Sequence, residues 1–320
     1  MGMRIVALFG PTGVGKTAVA IALAKRLRAR GEDPVAVSAD ALQVYAGLQT
    51  LTGVASPAER VELEHRLVSF VSVAETYSAG RYAKRAHAEI DGLLTAGRRP
   101  IVVGGTGLYL RAALTELDFK PPPPAGVRER WLAELERRGA PALHALLAER
   151  APAIAGTIDP NDWRRTIRAL EVHEPVLAGR RDGGAGDGGE RTERSQLWSE
   201  EMRRPTLLVG LTMEREALYG QIEERVQAML DAGAVEEVRR ADRAGASITA
   251  RKALGFKELL TGDVEAMRKR TRNYAKRQLT WMRKLAGINT IDVSGRDPDQ
   301  VAGRVLALLG HETGEDRGGS

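Results

Sequence analysis

Residues 10–17 read GPTGVGKT, directly after the apolar run Ile5–Phe9 and directly before a helix-like stretch from Thr17 to Leu27. The spacing fits G-x-x-x-x-G-K-[ST], and its flanks make it a strand, loop and helix unit of an α/β fold with a P-loop-type parallel sheet flanked by helices. In such a loop Gly10, Gly13 and Gly15 let the backbone turn its N–H groups inward. The helix N-terminus adds partial positive charge at the same point. Gly10, Pro11, Thr12, Gly13, Val14, Gly15, Lys16 and Thr17 are therefore expected to cradle a diphosphate or the phosphates of a nucleotide such as ATP. Lys16 would reach the outer phosphoryl oxygens, and the Thr17 hydroxyl would hold a magnesium ion that bridges two phosphates.

The chain has 320 residues, enough for one large core or a core with an inserted subdomain. Its hydrophobic content of 43% and charged content of 28% fit a soluble globular protein. No apolar run approaches the ~20 residues needed to span a bilayer, and no signal-peptide pattern precedes the first strand. A cytoplasmic protein with no membrane partner is expected. The absence of cysteine excludes disulfides, thiolate zinc sites and cysteine nucleophiles. Net charge is only +6, but the stretch Arg268–Lys284 alone holds eight basic residues and no acidic one, so the rest of the chain is net acidic.

Pro34–Asp40 is a second short apolar run, and it ends in a carboxylate. Ligands in open parallel sheets bind outside the C-terminal strand ends, which would put Asp40 beside the first loop. The plainer alternative is an aspartate that caps the next turn. A third strand, Arg99–Gly105, ends in Gly104-Gly105-Thr106 without an aspartate. Motor and switch NTPases carry a magnesium-binding Asp at such a strand end, so Asp40 is left as the carboxylate that faces the phosphates.

Pro121–Pro124 marks a boundary, followed by helix-like segments around 127–138, 141–150 and 162–177. Gly179–Gly189 has six glycines in eleven residues and reads as a mobile loop. The expected organisation is a discontinuous core, residues 1–117 and 200–310, an inserted helical subdomain at 118–199, and a disordered tail at 311–320. Leu207–Leu211 returns as a strand, and Leu218, Ile222, Val226 and Met229 recur at helical spacing as core packing. In the basic helix Ala275, Leu279, Met282 and Ala286 form one stripe. Arg272, Lys276, Arg277, Arg283 and Lys284 spread over the other side, flanked by Tyr274 and Trp281, a mixture suited to an RNA loop.

Four further blocks, SADALQVY at 38–45, VGGTGLYL at 103–110, DPNDWRRTIRALEV at 159–172 and TRNYAKRQLTW at 271–281, follow the opening loop in order. Together the five blocks resemble the tRNA dimethylallyltransferase family, from Arg4 to about Val293. The resemblance implies transfer of a dimethylallyl group from dimethylallyl diphosphate to N6 of adenosine 37 in the tRNA anticodon stem-loop, with magnesium and release of diphosphate. It also implies roles by position. Asp40 accepts the proton from N6, Ala41, Leu42 and Gln43 lie along the tRNA, and Gln43 holds the flipped adenine. Thr106 contacts the reacting nucleotide, while Arg128, Arg164, Arg165 and Arg168 meet the tRNA. Lys252 joins Asp40, Lys16 and Thr17 as a catalytic residue near the diphosphate, with adjacent Arg251 as the other candidate. Arg272, Lys276 and Arg277 on the basic helix complete the expected tRNA contacts. One departure stands out: where relatives have Thr-Ala-Lys-Pro this chain reads Thr52-Gly53-Val54-Ala55 and lacks the lysine.

The chemistry suits those residue types. An allylic diphosphate leaves with carbocation character at C1, so amides, Lys16, magnesium and a second cation stabilise the departing charge. The adenine amino group must lose a proton, which a carboxylate can accept, and the base must leave its stack to reach a buried carbon. A glutamine on the adenine edge is a known reading geometry. Three alternatives stay open: a small-molecule kinase, which leaves the basic helix unexplained, a non-catalytic RNA-binding module, which needs no Asp40, and a transferase acting on free adenine nucleotide. No protein partner is called for, and a monomer is expected.

Overall fold

The computed structural model describes residues 3–119, 123–124, 126–177 and 201–311. In chain order the first elements are β1 (Ile5–Phe9), α1 (Lys16–Arg28), β2 (Pro34–Ser38), β3 (Tyr45–Ala46), α2 (Gln49–Thr52), α3 (Pro57–Glu62), β4 (His65–Arg66), β5 (Val71–Ser72), α4 (Ala79–Thr95), β6 (Arg99–Gly104) and α5 (Gly107–Leu114). Then come α6 (Val127–Arg138), α7 (Ala140–Arg150), α8 (Pro152–Ala155) and α9 (Trp163–Leu177). After them follow β7 (Thr206–Thr212), α10 (Arg215–Asp231), α11 (Ala234–Arg243), a 3₁₀ turn (Ala250–Lys252), α12 (Phe256–Thr261), α13 (Val264–Met282), β8 (Asn289–Asp292) and α14 (Pro298–His311).

All five residues of β1 and all five of β2 are buried. Such uninterrupted apolar strands suit a parallel sheet covered by helices on both faces. The sheet has the order β4-β2-β6-β1-β7-β8, and each of its pairings is parallel. β1 therefore sits inside the sheet, and the loop that leaves its C-terminal end opens over the middle of one edge. Asp40 follows β2, which is separated from β1 by β6, so it approaches the loop from two strands away rather than from the next strand. Gly104 makes that approach possible: a Cβ there would lie 2.2 Å from the Ala39 carbonyl oxygen.

Two compact units divide the chain, Met1–Leu117 with Arg191–Ser320, and Asp118–Glu190. The second has its own small core of Trp131, Leu143, Leu147, Ala155, Ile167 and Leu170, contributed by α6 to α9. The glycine-rich stretch 179–189 and the tail at 312–320 lie outside the described residues, as does part of the proline run at 121–124.

The basic helix differs from its sequence reading in both limits and face. As α13 it begins at Val264, where the Asp263 side chain accepts the Ala266 N–H at 2.9 Å, and it ends at Met282, leaving Arg283 and Lys284 beyond it. Its buried face is Met267, Thr271, Ala275, Gln278 and Met282. Gln278 is buried where the apolar stripe had put Leu279, because its amide finds backbone partners on both sides.

Candidate active site

Gly13 and Gly15 both have φ of 86°, a left-handed conformation open to glycine at little cost. Gly15 caps α1 with no side-chain hydrogen bond, so the first amides of the helix are left to a ligand. Lys16 folds over the loop, its Nζ donating to Gly10 O at 2.9 Å and Pro11 O at 2.8 Å. Burial, with the Arg225 guanidinium next in effect, pushes the Lys16 ammonium down to about 7, while Asp40 pulls the other way.

A bound diphosphate favours the charged ammonium and raises its pKa, so above pH 7 binding takes up a proton and affinity falls as pH rises. Calorimetry of dimethylallyl diphosphate binding in buffers of different ionisation enthalpy should show uptake approaching one proton at about pH 8.5 and little at about pH 6. Lys16→Met should abolish the uptake; the same uptake in that variant would assign the proton to another group.

Asp40 uses its two oxygens differently. Oδ1 accepts from the Leu42 N–H at 2.8 Å and the Gln43 N–H at 3.3 Å, capping the turn, while Oδ2 lies 3.4 Å from the Thr106 hydroxyl. Asp40 thus caps the turn through one oxygen and lines a cleft shared with Lys16. Thr106 in turn lies 3.2 Å from the Tyr274 phenol, which burial and the nearby Asp40 push well up, keeping it protonated. Tyr274 thus faces inward, and the Trp281 ring packs so closely on Gly107 that a Cβ there would meet it at 2.0 Å. Neither aromatic merely flanks the basic surface.

Gln43 also differs from expectation. Its Oε1 accepts from Ser38 Oγ at 2.8 Å, and its Nε2 donates to Thr52 O at 3.3 Å and Gly53 O at 3.0 Å. Both amide hydrogens are engaged by the protein, so what it can offer an adenine is the second lone pair of Oε1. The side chain fastens the 52–53 segment to the end of β2.

Beside them is a cleft of about 410 Å³, whose lining includes Gly104 and Gly105 but not Thr106. Lys16, Thr17, Asp40, Gln43 and Tyr274 contribute to its walls, and Leu51, Val226, Met229, Leu254 and Met267 form an apolar part. Lys252 is exposed on the 3₁₀ turn and does not line the cleft, and Arg251 is held away by an ion pair of 2.5 Å with Asp242. The second cation there is Arg225 of α10, which sequence reasoning missed because its neighbours Ile222, Val226 and Met229 read as core packing. Burial lowers its pKa, against the pull of Asp40 and Glu59. Room for it comes from Gly53, where a Cβ would lie 1.8 Å from Arg225 Nη2. The departure Thr52-Gly53-Val54-Ala55 thus places a glycine against a cleft-facing guanidinium.

Among the described residues no group of three or more His, Cys, Asp or Glu forms a metal cluster. Oxygen donors in the cleft include the Thr17 hydroxyl and the Asp40 carboxylate, with Glu59 a further carboxylate in its wall. That set fits magnesium, which keeps its waters and binds through one or two protein oxygens together with substrate phosphates.

The expected RNA contacts are partly engaged elsewhere. Arg272 and Arg268 pair with Glu223 of α10, and Arg270 pairs with Glu258 of α12. Lys276 lies 6.0 Å above the Tyr219 ring and Arg277 5.6 Å above the Tyr274 ring; among the described residues neither has an acidic partner. In the second unit Arg128 donates to both oxygens of the buried Glu171, at 2.6 and 2.8 Å, and Arg168 reaches the same carboxylate at 3.3 Å. Arg164 stacks 4.4 Å above Trp163, and Arg165 lies 3.5 Å from Asp162. Glu171→Ala should destabilise this unit by about 1–2 kcal/mol, a value kept small by the solvent exposure of both arginines. Chemical denaturation reads it, and an unchanged midpoint would show that Glu171 contributes no net stability.

The sequence model of the family described as IPP transferase matches residues 43–285. A tRNA dimethylallyltransferase of Kineococcus radiotolerans is 39% identical over 318 residues, covering 95% of this chain and 96% of that one. The full-length tRNA isopentenylpyrophosphate transferase of Bacillus halodurans has a similar crystal structure, with a TM-score of 0.68 at 29% identity, covering 98% of this chain and 97% of that chain. A eukaryotic dimethylallyltransferase, solved in crystallographic snapshots of its action on tRNA, shares the fold with a TM-score of 0.69 at 24% identity, covering 92% of this chain and 75% of its own.

Proposed function

The chain belongs to the IPP transferase family, and from that premise we propose that it transfers the dimethylallyl group of dimethylallyl diphosphate to N6 of adenosine 37 in tRNA anticodon loops, giving N6-(dimethylallyl)adenosine and diphosphate. The observation that carries this reading is one cleft lined by a glycine-rich loop, two cations and the strand-end carboxylate Asp40, with an apolar wall beside them. The open amides at the start of α1, Lys16 and Arg225 bind the diphosphate and stabilise the charge that grows as it departs. Leu51, Val226, Met229, Leu254 and Met267 take the five-carbon chain and exclude water from C1. Asp40 Oδ2 accepts the N6 proton, and Thr106, tied to it and to Tyr274, orients the base. Magnesium on Thr17 would add positive charge at the leaving phosphates when bound. A cytoplasmic monomer is part of the same proposal. Among the described residues no helix is long and apolar enough to cross a membrane.

Acceptor choice is read from salt dependence. Lys276 and Arg277 are exposed and lack acidic partners among the described residues, so contact with phosphates would release condensed counterions. Replacing both with Gln should flatten the slope of log K against log salt by about 1.4, at ~0.7 per single-stranded contact. Arg272→Gln should add less, because Glu223 already neutralises it. Filter binding of an anticodon stem-loop at several salt concentrations measures this; identical slopes would return free adenine nucleotide as the acceptor.

A further inference from the structure

Gln278 is the one buried amide on the inner face of α13, and both of its ends are bonded to backbone. Its Oε1 accepts the Thr12 N–H of the phosphate loop at 2.8 Å, and its Nε2 donates to Gly105 O at 2.8 Å. The residue is only 4% exposed. Gly105 is shaped to admit it, since a Cβ there would lie 2.2 Å from Gln278 Nε2. One side chain therefore joins the turn that holds the leaving group to the turn that carries Thr106.

The other side-chain restraint on the loop is Lys16, which ties down Gly10 O and Pro11 O and has a third N–H for a diphosphate, so its hold on the loop is shared with the ligand. The remaining internal loop bond, Val14 N–H to Pro11 O, is long at 3.4 Å. Gln278 lines the same cleft, and neither of its two backbone bonds involves Lys16.

We infer that Gln278 is a positioning residue for the transfer, a brace that fixes the phosphate loop against the 104–107 turn independently of Lys16, whose ammonium is shared with the substrate. This rests on the proposed dimethylallyl transfer. C1 of the donor is held from the first turn and N6 of the acceptor from the second, so their separation depends on the brace. Misplacement of reacting atoms by ~1 Å can cost on the order of 10²-fold, with little change in binding.

The test is single-turnover transfer in the preformed complex of enzyme, magnesium, dimethylallyl diphosphate and anticodon stem-loop. Gln278→Met, similar in volume but lacking both bonds, should slow that step by about 10- to 100-fold while KM for the diphosphate and Kd for the RNA change by less than about threefold. Gln278→Glu keeps an acceptor for the Thr12 N–H and should lose less. If the methionine variant does not fold, Gly105→Ala, which pushes the amide aside and leaves Gln278 in place, should slow the step in the same way. A folded Gln278→Met or Gly105→Ala protein with the wild-type single-turnover rate overturns the brace. A wild type that transfers nothing overturns the proposed activity instead. In that event hydrogen exchange decides: the Thr12 N–H should exchange at least about tenfold faster in Gln278→Met, and equal exchange overturns the brace.

Discussion

Asp40→Asn is expected to lower the rate of transfer from bound substrates by ~10²–10⁴-fold, the usual contribution of a positioned general base. The substitution is a clean one here. The asparagine carbonyl can still accept from the Leu42 and Gln43 N–H groups, so the turn that Oδ1 caps survives. What is lost is the charge on the oxygen that faces Thr106. Single-turnover rates and RNA affinity should therefore separate, the first collapsing and the second holding. Collapse of affinity with an unchanged rate in the bound complex would make Asp40 a binding residue.

Lys16→Ala should lower kcat/KM by on the order of 10²-fold or more, with kcat falling further than KM rises. The reason is the timing of charge: the diphosphate gains negative charge as it departs, so a fixed cation interacts more strongly with the transition state than with the ground state. Arg225 lines the same cleft and continues to neutralise part of the charge, which limits the loss. Steady-state kinetics with dimethylallyl diphosphate as the varied substrate checks this, and near-normal turnover would remove the loop from the site.

What could be read from the chain follows from where local rules act. The glycines at 10, 13 and 15 fix a backbone shape by themselves, so the strand, loop and helix were legible without tertiary information. So was the parallel sheet, because β1 and β2 are buried on both faces and read as unbroken apolar runs. Asp40 was legible as a strand-end carboxylate, although the insertion of β6 between β1 and β2 was not. Arg225 and Gln278 were opaque for a shared reason. Each is a polar residue on a helix whose neighbours pack in the core, and its role depends on a loop distant in sequence, Gly53 for Arg225 and Thr12 with Gly105 for Gln278. Hydrophobic periodicity assigns such positions by their neighbours and cannot see a remote backbone partner. Charge counting failed in a related way: Arg268, Arg270 and Arg272 look like free cations within α13, yet Glu223 and Glu258 reach them from α10 and α12.

In the proposed reaction a prenyl group passes from the cleft to one adenine of tRNA. Its most direct test is incubation of the purified protein with magnesium, isotopically labelled dimethylallyl diphosphate and bulk tRNA, followed by digestion to nucleosides and chromatography. Label is expected in a single product, N6-(dimethylallyl)adenosine, with one diphosphate released for each group transferred. Label confined to free adenine nucleotide, or diphosphate release without any labelled nucleoside, would contradict it.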